Sequence, residues 1–149
     1  MKDKVCTQAK IVYTRNKDMR ENINEKRREN AYRYNKMFAK YPEIQTPKEL
    51  HDTYSVYHQY TIKIENRDEV HKLLNENGIG AMIYYPVPLH LQKLHKHLGY
   101  KQGDLPYTEQ DTKLVMSLPM FPEITEEEQQ TVVDTVVKCL NMTRQPVCK

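Results

Sequence analysis

The stretch YSVYHQYTIKI, residues 54–64, decides the fold because apolar and polar side chains alternate along it. A period of two, rich in β-branched and aromatic residues, predicts a β-strand with one buried face. A second strand is predicted at residues 81–85, where Pro86 ends it because proline has no backbone N–H to donate. The face of the first strand that we expect to be buried carries Val56, His58, Tyr60, Ile62 and Ile64.

Helical periodicities lie on both sides of this strand. Before it, an apolar stripe predicts a helix that stops near Pro42, and after it Gly78 and Gly99 stand where helices end. Thr125 and Glu128 have the spacing of a capping box, which opens a last helix. The predicted helices cover residues 20–40, 66–78, 89–98, 106–115 and 125–140.

A chain of 149 residues suits one domain. The two or three strands do not alternate regularly with helices, which favours an α+β fold. We expect a small antiparallel or mixed sheet with helices packed on one face, preceded by a long helix. The predicted parts are a poorly ordered segment at 1–18, a long basic helix at 19–41, the domain at 42–141 and a loose tail at 142–149.

Positive charge is concentrated at the start of the chain. Residues 1–40 carry 12 Lys and Arg against 5 Asp and Glu, although the net charge of the chain is only +3. A nucleic-acid partner is one interpretation. The favoured one is a solvated helix face, since Glu21, Glu25 and Glu29 are interleaved with the basic residues at helical spacing.

The composition and the short motifs limit the cellular location and the classes of catalysis that we expect. No apolar run is long enough for a membrane span or a secretory signal, and Cys6, Cys139 and Cys148 form no C-x-x-C motif. We therefore expect a cytoplasmic protein. The spacing of the four glycines matches no phosphate-binding motif, and neither serine lies in a nucleophile motif. We therefore predict no catalytic residue.

The segment IYYPVPLHLQ, residues 83–92, is the candidate site. Two prolines stiffen it, and Tyr84, Tyr85 and His90 are side chains suited to ligand contacts. The alternative is that the two tyrosines only pack, one inside the core and one outside. We expect no metal, because the spacing of His90 from His95 and His97 suits no helical ligand pair; ordinary surface histidines on a short helix are the simpler interpretation.

Residues 54–140 contain an ordered set of short motifs that together resemble a known family. The motifs are YHQY at 57–60, RDE at 67–69, GIG at 78–80, YYPVPLHLQ at 84–92, LGY at 98–100, GDLP at 103–106 with Glu109, SLPMFP at 117–122 and TEEE at 125–128. In this order they resemble the C-terminal small domain of the DegT/DnrJ/EryC1/StrS family of sugar aminotransferases.

The resemblance implies a homodimeric enzyme that uses pyridoxal phosphate (PLP) to move an amino group, usually from glutamate, to a keto carbon of a nucleotide-linked sugar. It implies that Tyr84, Tyr85 and Pro86 lie near the sugar, and with His90 of the same loop they are the predicted substrate-binding residues. In this family the PLP lysine, the acid that holds the pyridinium nitrogen and the phosphate cup belong to the large domain. We therefore expect no cofactor on this chain, and a fragment, split gene product or remnant that is inactive without a complementing large domain.

Two other functions remain open at this point. One is a stand-alone module that binds a sugar nucleotide or occupies the place of a dimer partner. The other, which we rank last, is a nucleic-acid-binding protein that uses the basic helix at residues 20–40.

Overall fold

A computed structural model describes the backbone of residues 2–144 and the side chains of residues 19–144. Within that part the chain forms four α-helices, two strands and two short 3₁₀ helices. In chain order these are α1 (Lys2–Phe38), β1 (Tyr60–Lys63), α2 (Arg67–Glu76), the 3₁₀ helices Leu89–Leu91 and Lys93–Leu98, α3 (Pro106–Asp111), β2 (Val115–Leu118) and α4 (Glu126–Arg144).

The sheet is antiparallel and two-stranded within the described residues, which confirms the predicted α+β fold. Tyr60 pairs with Leu118 at one end and Lys63 with Val115 at the other. Tyr60 and Ile62 are buried, as the alternation predicts. The ring of Tyr34 on α1 stacks on Tyr60 with 4.8 Å between ring centroids, so the long helix packs directly on the strand.

Both predicted strands are shorter than expected, and each contains a tyrosine with a left-handed backbone. The prediction that the first strand begins at residue 54 is wrong, because Tyr57 has a φ of 44° and a left-handed residue cannot continue a pleated strand. At residues 81–85 only Met82 pairs, through a single bridge to Ser117, and Tyr85 has a φ of 57°. Val56 and His58 accordingly lie exposed instead of in the core.

The loop helices also differ from the prediction. The expected helix at 89–98 is two 3₁₀ helices, separated by Gln92 in an extended conformation. The expected helix at 106–115 ends at Asp111, and Val115 instead pairs in the sheet. Burial between β1 and α2 therefore overrides the local helical pattern in this segment.

Both ends of the described chain are more helical than expected. Helix α1 begins at Lys2, where we predicted an irregular segment to residue 18; no Gly or Pro stands before Pro42 to stop a helix. Helix α4 runs to Arg144, whose guanidinium lies 3.5 Å from the carboxylate of Glu43, so the prediction of a loose tail is wrong for residues 142–144. Residues 145–149 lie outside the described residues.

Helices α1 and α4 are joined by a buried polar contact. The Gln129 side chain, fully buried on α4, donates from Nε2 to the Asn30 carbonyl at 2.9 Å and accepts from Nη1 of Arg33 at 2.7 Å. At the start of α4, Thr125 and Glu128 exchange the reciprocal hydrogen bonds of the predicted capping box. The hydrogen bonds of Gln129 with Asn30 and Arg33 hold the long helix α1 against the rest of the domain.

The basic face of α1 is partly engaged with the rest of the domain. Arg28 donates from Nη1 to Glu49 Oε1 and to the Ser55 carbonyl, both at 2.6 Å, and its guanidinium lies 4.1 Å from the ring centroid of Tyr54. Tyr54 in turn hydrogen-bonds Glu25 on α1. At Arg28 the charge therefore anchors the loop before β1 instead of facing solvent. No helix in the described part of the chain is long and apolar enough to cross a membrane.

Candidate functional site

A surface cavity of about 530 Å³ opens between the loop after α2 and helix α3. Most of its lining atoms are apolar, with a few polar groups among them, the composition typical of small-molecule sites. Its lining residues are Tyr84, Tyr85, Pro88, Leu89, His90, Leu105, Thr108, Asp111, Thr112 and Val115.

The cavity brings together three of the four predicted substrate-binding residues. Tyr84, Tyr85 and His90 line it, whereas Pro86 is exposed between them and contributes no lining. Tyr84 is 43% exposed and Tyr85 62%, so neither ring is a core residue and the alternative of one ring packed inside is wrong. The left-handed φ of Tyr85 breaks the strand alternation, and both rings line one cavity.

His90 is held by a carboxylate that sequence reasoning left without a role. The ring is 8% exposed, and its Nε2 lies 3.1 Å from Oε1 of Glu109, which also accepts the backbone N–H of Gly103 at 2.8 Å. The Gly103 N–H and the imidazole of His90 lower the pKa of Glu109. The interpretation of a surface histidine is therefore wrong for His90, although it fits His97, which is exposed and has its Nδ1 3.1 Å from the carbonyl oxygen of Leu94.

Two further charged residues build the cavity wall. Asp111 lines the cavity and accepts a 2.6 Å hydrogen bond from Nζ of Lys63 on β1. Arg67 is only 5% exposed and donates to the carbonyls of Thr112 and Val115, both at 2.9 Å. Arg67 therefore fixes the turn between α3 and β2, from which two lining residues come.

The sequence gives only a weak indication that Arg67 and Glu109 belong to the site. Arg67 and Glu109 stand inside the motifs of the resemblance, but a single charged residue in a sequence usually indicates a solvated surface. Their burial depends on contacts with residues 19 to 48 positions away, which no local pattern encodes.

The described side chains were compared with what a metal ion and PLP require. No group of three or more His, Cys, Asp or Glu among residues whose side chains are described is arranged to hold a metal ion. PLP requires a lysine amine, an acid for the ring nitrogen and donors for the phosphate. No Lys or Arg lines the cavity, and its one carboxylate is already paired with Lys63, so the cavity does not fit PLP.

The sequence and the fold match a family of aminotransferases. Residues 7–137 match the model of the DegT/DnrJ/EryC1/StrS aminotransferase family, and the chain belongs to that family.

Similar curated proteins match over part of their length. A pleiotropic regulatory protein of Geobacillus stearothermophilus is 47% identical over 116 residues, which are 76% of this chain and 31% of that protein. A UDP-N-acetyl-3-dehydro-alpha-D-glucosamine 3-aminotransferase of Acidithiobacillus ferrooxidans is 36% identical over 99 residues, 66% of this chain and 26% of that one. The chain therefore spans about a third of the length of these relatives.

Solved structures are likewise matched over about a third of their length. A DegT/DnrJ/EryC1/StrS aminotransferase from Brucella abortus superposes with a TM-score of 0.71 at 34% identity, over 80% of this chain and 32% of that one. S. venezuelae DesV gives 0.75 at 30% identity, over 85% and 33%. NtdA from Bacillus subtilis, solved with bound cofactor PMP, gives 0.67 at 30% identity, over 80% and 28%.

Proposed function

We propose that this chain is the small, substrate-side domain of a PLP-dependent aminotransferase that transfers an amino group from glutamate to a keto carbon of a nucleotide-linked sugar. The observation that carries this function is the cavity formed by Tyr84, Tyr85 and His90. It lies on the loop to which the resemblance assigns the sugar, in a chain that belongs to an aminotransferase family.

On this proposal the tyrosines hold the sugar. Tyr84 and Tyr85 offer ring faces to the apolar side of a pyranose and phenol hydroxyls to its polar groups. Pro86 and Pro88 keep the loop in one conformation, so less entropy is lost when the sugar is bound.

The cofactor site lies outside these 149 residues on this proposal. The lysine, the acid and the phosphate cup come from a large domain, and the assembled enzyme is a homodimer. The partial coverage of about a third of each relative supports this arrangement. Alone, the chain neither retains PLP nor transaminates.

A chimera tests the proposal directly. In the Acidithiobacillus 3-aminotransferase, residues 7–137 of this chain replace the segment that they match. We expect the chimera to retain PLP through dialysis and to form 2-oxoglutarate from glutamate and the 3-keto sugar nucleotide, while the isolated chain does neither. An isolated chain that keeps PLP and consumes glutamate would overturn the proposal, as would an inactive chimera that is folded and loaded with PLP.

Tyrosine variants of the chimera test the site. Tyr84→Phe and Tyr85→Phe each remove one hydroxyl, and loss of one hydrogen bond of about 1 kcal/mol raises KM roughly fivefold. Tyr107→Phe is the matched control, because Tyr107 is 84% exposed and does not line the cavity. Equal kinetics in all three variants would show that the cavity tyrosines do not contact the sugar.

A second function is favoured by one observation. Large apolar side chains lie exposed along residues 84–107, Leu94 at 77% among them, as expected of a surface that meets another protein. A stand-alone binding or dimer-interaction module would use this surface without catalysis. Stable binding of a UDP- or dTDP-sugar by the isolated chain, together with an inactive chimera, would favour that module.

A further inference from the structure

Residues 86–105, which we call the flap, contribute nothing to the hydrophobic core. His90 is the only buried residue among them, and large apolar side chains such as Leu94 and Leu98 are exposed. Burial of apolar surface is the main favourable term in folding, so the flap is held far less firmly than β1, α2 or α4. Segments with so few buried contacts open locally while the rest of a domain stays folded.

Within the described residues, one side chain outside the flap is hydrogen-bonded to it, and that side chain is Glu109 of α3. Its Oε1 lies 3.1 Å from Nε2 of His90 and accepts the backbone N–H of Gly103 at 2.8 Å. The other hydrogen bonds of the flap are local, such as the one from the His95 N–H to the Gln92 carbonyl at 2.9 Å. Loss of the Glu109 carboxylate would therefore leave the flap attached mainly by its two chain ends.

Helix α3, in contrast, is fixed to the rest of the domain. Asp111 at its end accepts a 2.6 Å hydrogen bond from Nζ of Lys63 on β1, and Arg67 on α2 donates to two carbonyls that follow the helix. Glu109 therefore connects the flap to a fixed support. Because His90 lies on one side of the cavity and α3 on the other, this single bond sets the distance between the two walls.

The flap begins next to a strained residue. Tyr85 has a φ of 57°, which is unfavourable for a side chain with a Cβ and for a residue before proline, where an extended backbone is preferred. Tyr57 is also left-handed, but its ring is buried in the core, whereas Tyr85 is 62% exposed and gains no such packing. Pro86 and Pro88 stiffen the chain that follows, which favours rotation at Tyr85 over bending within the flap. Release of this strain opposes the closed position that Glu109 maintains.

We propose that the flap opens and closes as one unit, with Tyr85 as its hinge and Glu109 as the positioning residue that keeps it closed. In the closed state His90 forms part of one wall of the cavity and α3 part of the other. When the bond between them breaks, the walls separate and the entrance of the cavity widens, while the sheet and the long helices stay folded. The motion does not depend on which ligand the cavity binds.

Native-state hydrogen exchange of the 149-residue chain, followed by NMR at increasing urea, measures this opening. The backbone N–H groups of Leu91, His95 and Asp104 are the reporters, because each donates to a carbonyl inside the flap and none donates to Glu109. We expect the three to share one protection factor within about threefold, at least about a hundredfold below those of β1 and α4 and nearly independent of urea. Equal protection and equal urea dependence in flap and core would overturn the proposal, as would three unrelated protection factors in the flap.

Two substitutions should change the exchange of these reporters in opposite directions. Glu109→Ala removes both hydrogen bonds to the flap, so we expect exchange at least about tenfold faster. Tyr85→Gly relieves the left-handed strain of the closed state, because glycine has no Cβ, and we expect exchange about threefold slower. Gln110→Ala is the matched control, since Gln110 is the next residue on α3, is exposed and does not line the cavity. We expect it to change the exchange by less than about twofold.

His90→Phe breaks the bond to Glu109 from the side of the flap and should accelerate the reporters at least about threefold, which keeps the role of Glu109 testable if the alanine variant does not fold. Unchanged exchange in a folded Glu109→Ala or in His90→Phe, or an equal acceleration in Gln110→Ala, would overturn that role. Faster exchange in Tyr85→Gly would overturn the hinge. No ligand enters these measurements, so turnover of the chimera judges the proposed function separately.

Discussion

At the scale of single residues, the charged groups of this domain hold loops in place. Arg28 ties the loop before β1 to α1, and Glu109 ties His90 to the turn at Gly103. In both contacts one partner lies on a helix, Arg28 on α1 and Glu109 on α3. The contacts therefore tie segments outside the long helices and the sheet to regular structure, which limits the conformations of those loops.

The Arg28–Glu49 pair predicts a pH dependence of stability. Hydrogen bonds from the Arg28 guanidinium and the Ser55 N–H lower the pKa of Glu49 to about 2, against an ordinary value of 4.5. A depressed folded-state pKa adds stability above pH 4.5 that is lost as the pH falls toward 2. We expect the urea midpoint of the wild-type chain to fall more steeply over this range than that of Arg28→Met.

The exposed pair of Lys72 and Glu76, 3.9 Å apart on α2, provides the control for that measurement. Lys72→Met is expected to leave the slope of the urea midpoint against pH unchanged, since exposed pairs on a helix contribute little. Parallel curves for the wild-type chain and Arg28→Met between pH 4.5 and 2 would contradict the role of Glu49.

Gly103 gives a second prediction at this scale. Its φ is 95°, and its N–H donates to Glu109, so Gly103→Ala should cost about 1–2 kcal/mol of unfolding free energy and loosen the cavity wall. Gly80→Ala is the matched control, because Gly80 has no left-handed φ and no atom lies within 4 Å of the added Cβ. Urea unfolding measures both variants, and equal stabilities would contradict the strain at residue 103.

At the scale of elements, the junction of α1 and α4 holds the long helix to the domain. We predict that Gln129→Leu lowers the free energy of unfolding by about 1–3 kcal/mol, because it leaves the Asn30 carbonyl and the Arg33 guanidinium without their partner. Gln130→Leu, one residue along the same helix, is expected to change it by less than about 0.5 kcal/mol, since Gln130 only pairs with exposed Asp134. Similar losses from the two variants would show that the junction carries no specific energy.

The elements were predicted from sequence to different degrees. Helices α1, α2 and α4 are confirmed with shifted ends, because their periodicity and their end signals agree. The strands and the loop helices were predicted too long. Left-handed Tyr57 and Tyr85 lie within the predicted strands, and tyrosine itself carries no sequence signal for such a conformation. The loop helices are shortened by the extended Gln92 and by the pairing of Val115 in the sheet.

At the scale of the whole molecule, the exposed apolar side chains of residues 84–107 predict self-association of the isolated chain. Leu94→Lys places a charge on this surface and should weaken association roughly tenfold in sedimentation velocity. Leu50→Lys is the control, because Leu50 is 73% exposed on the loop before β1 and lies outside that segment. A wild-type chain that is monomeric at high concentration would refute the prediction.

The sequence by itself determined the α+β class, the helices α1, α2 and α4, the stiff tyrosine loop and the family, because periodicity, capping residues and ordered motifs are local properties of the chain. Only the tertiary structure decided that Tyr84, Tyr85 and His90 share one cavity and that Glu109 and Lys63 anchor its polar groups. Lys63 and Asp111 lie 48 positions apart, and His90 and Glu109 lie 19 apart. Such pairings form when the sheet and the helices pack, so their charges have partners only in the folded chain.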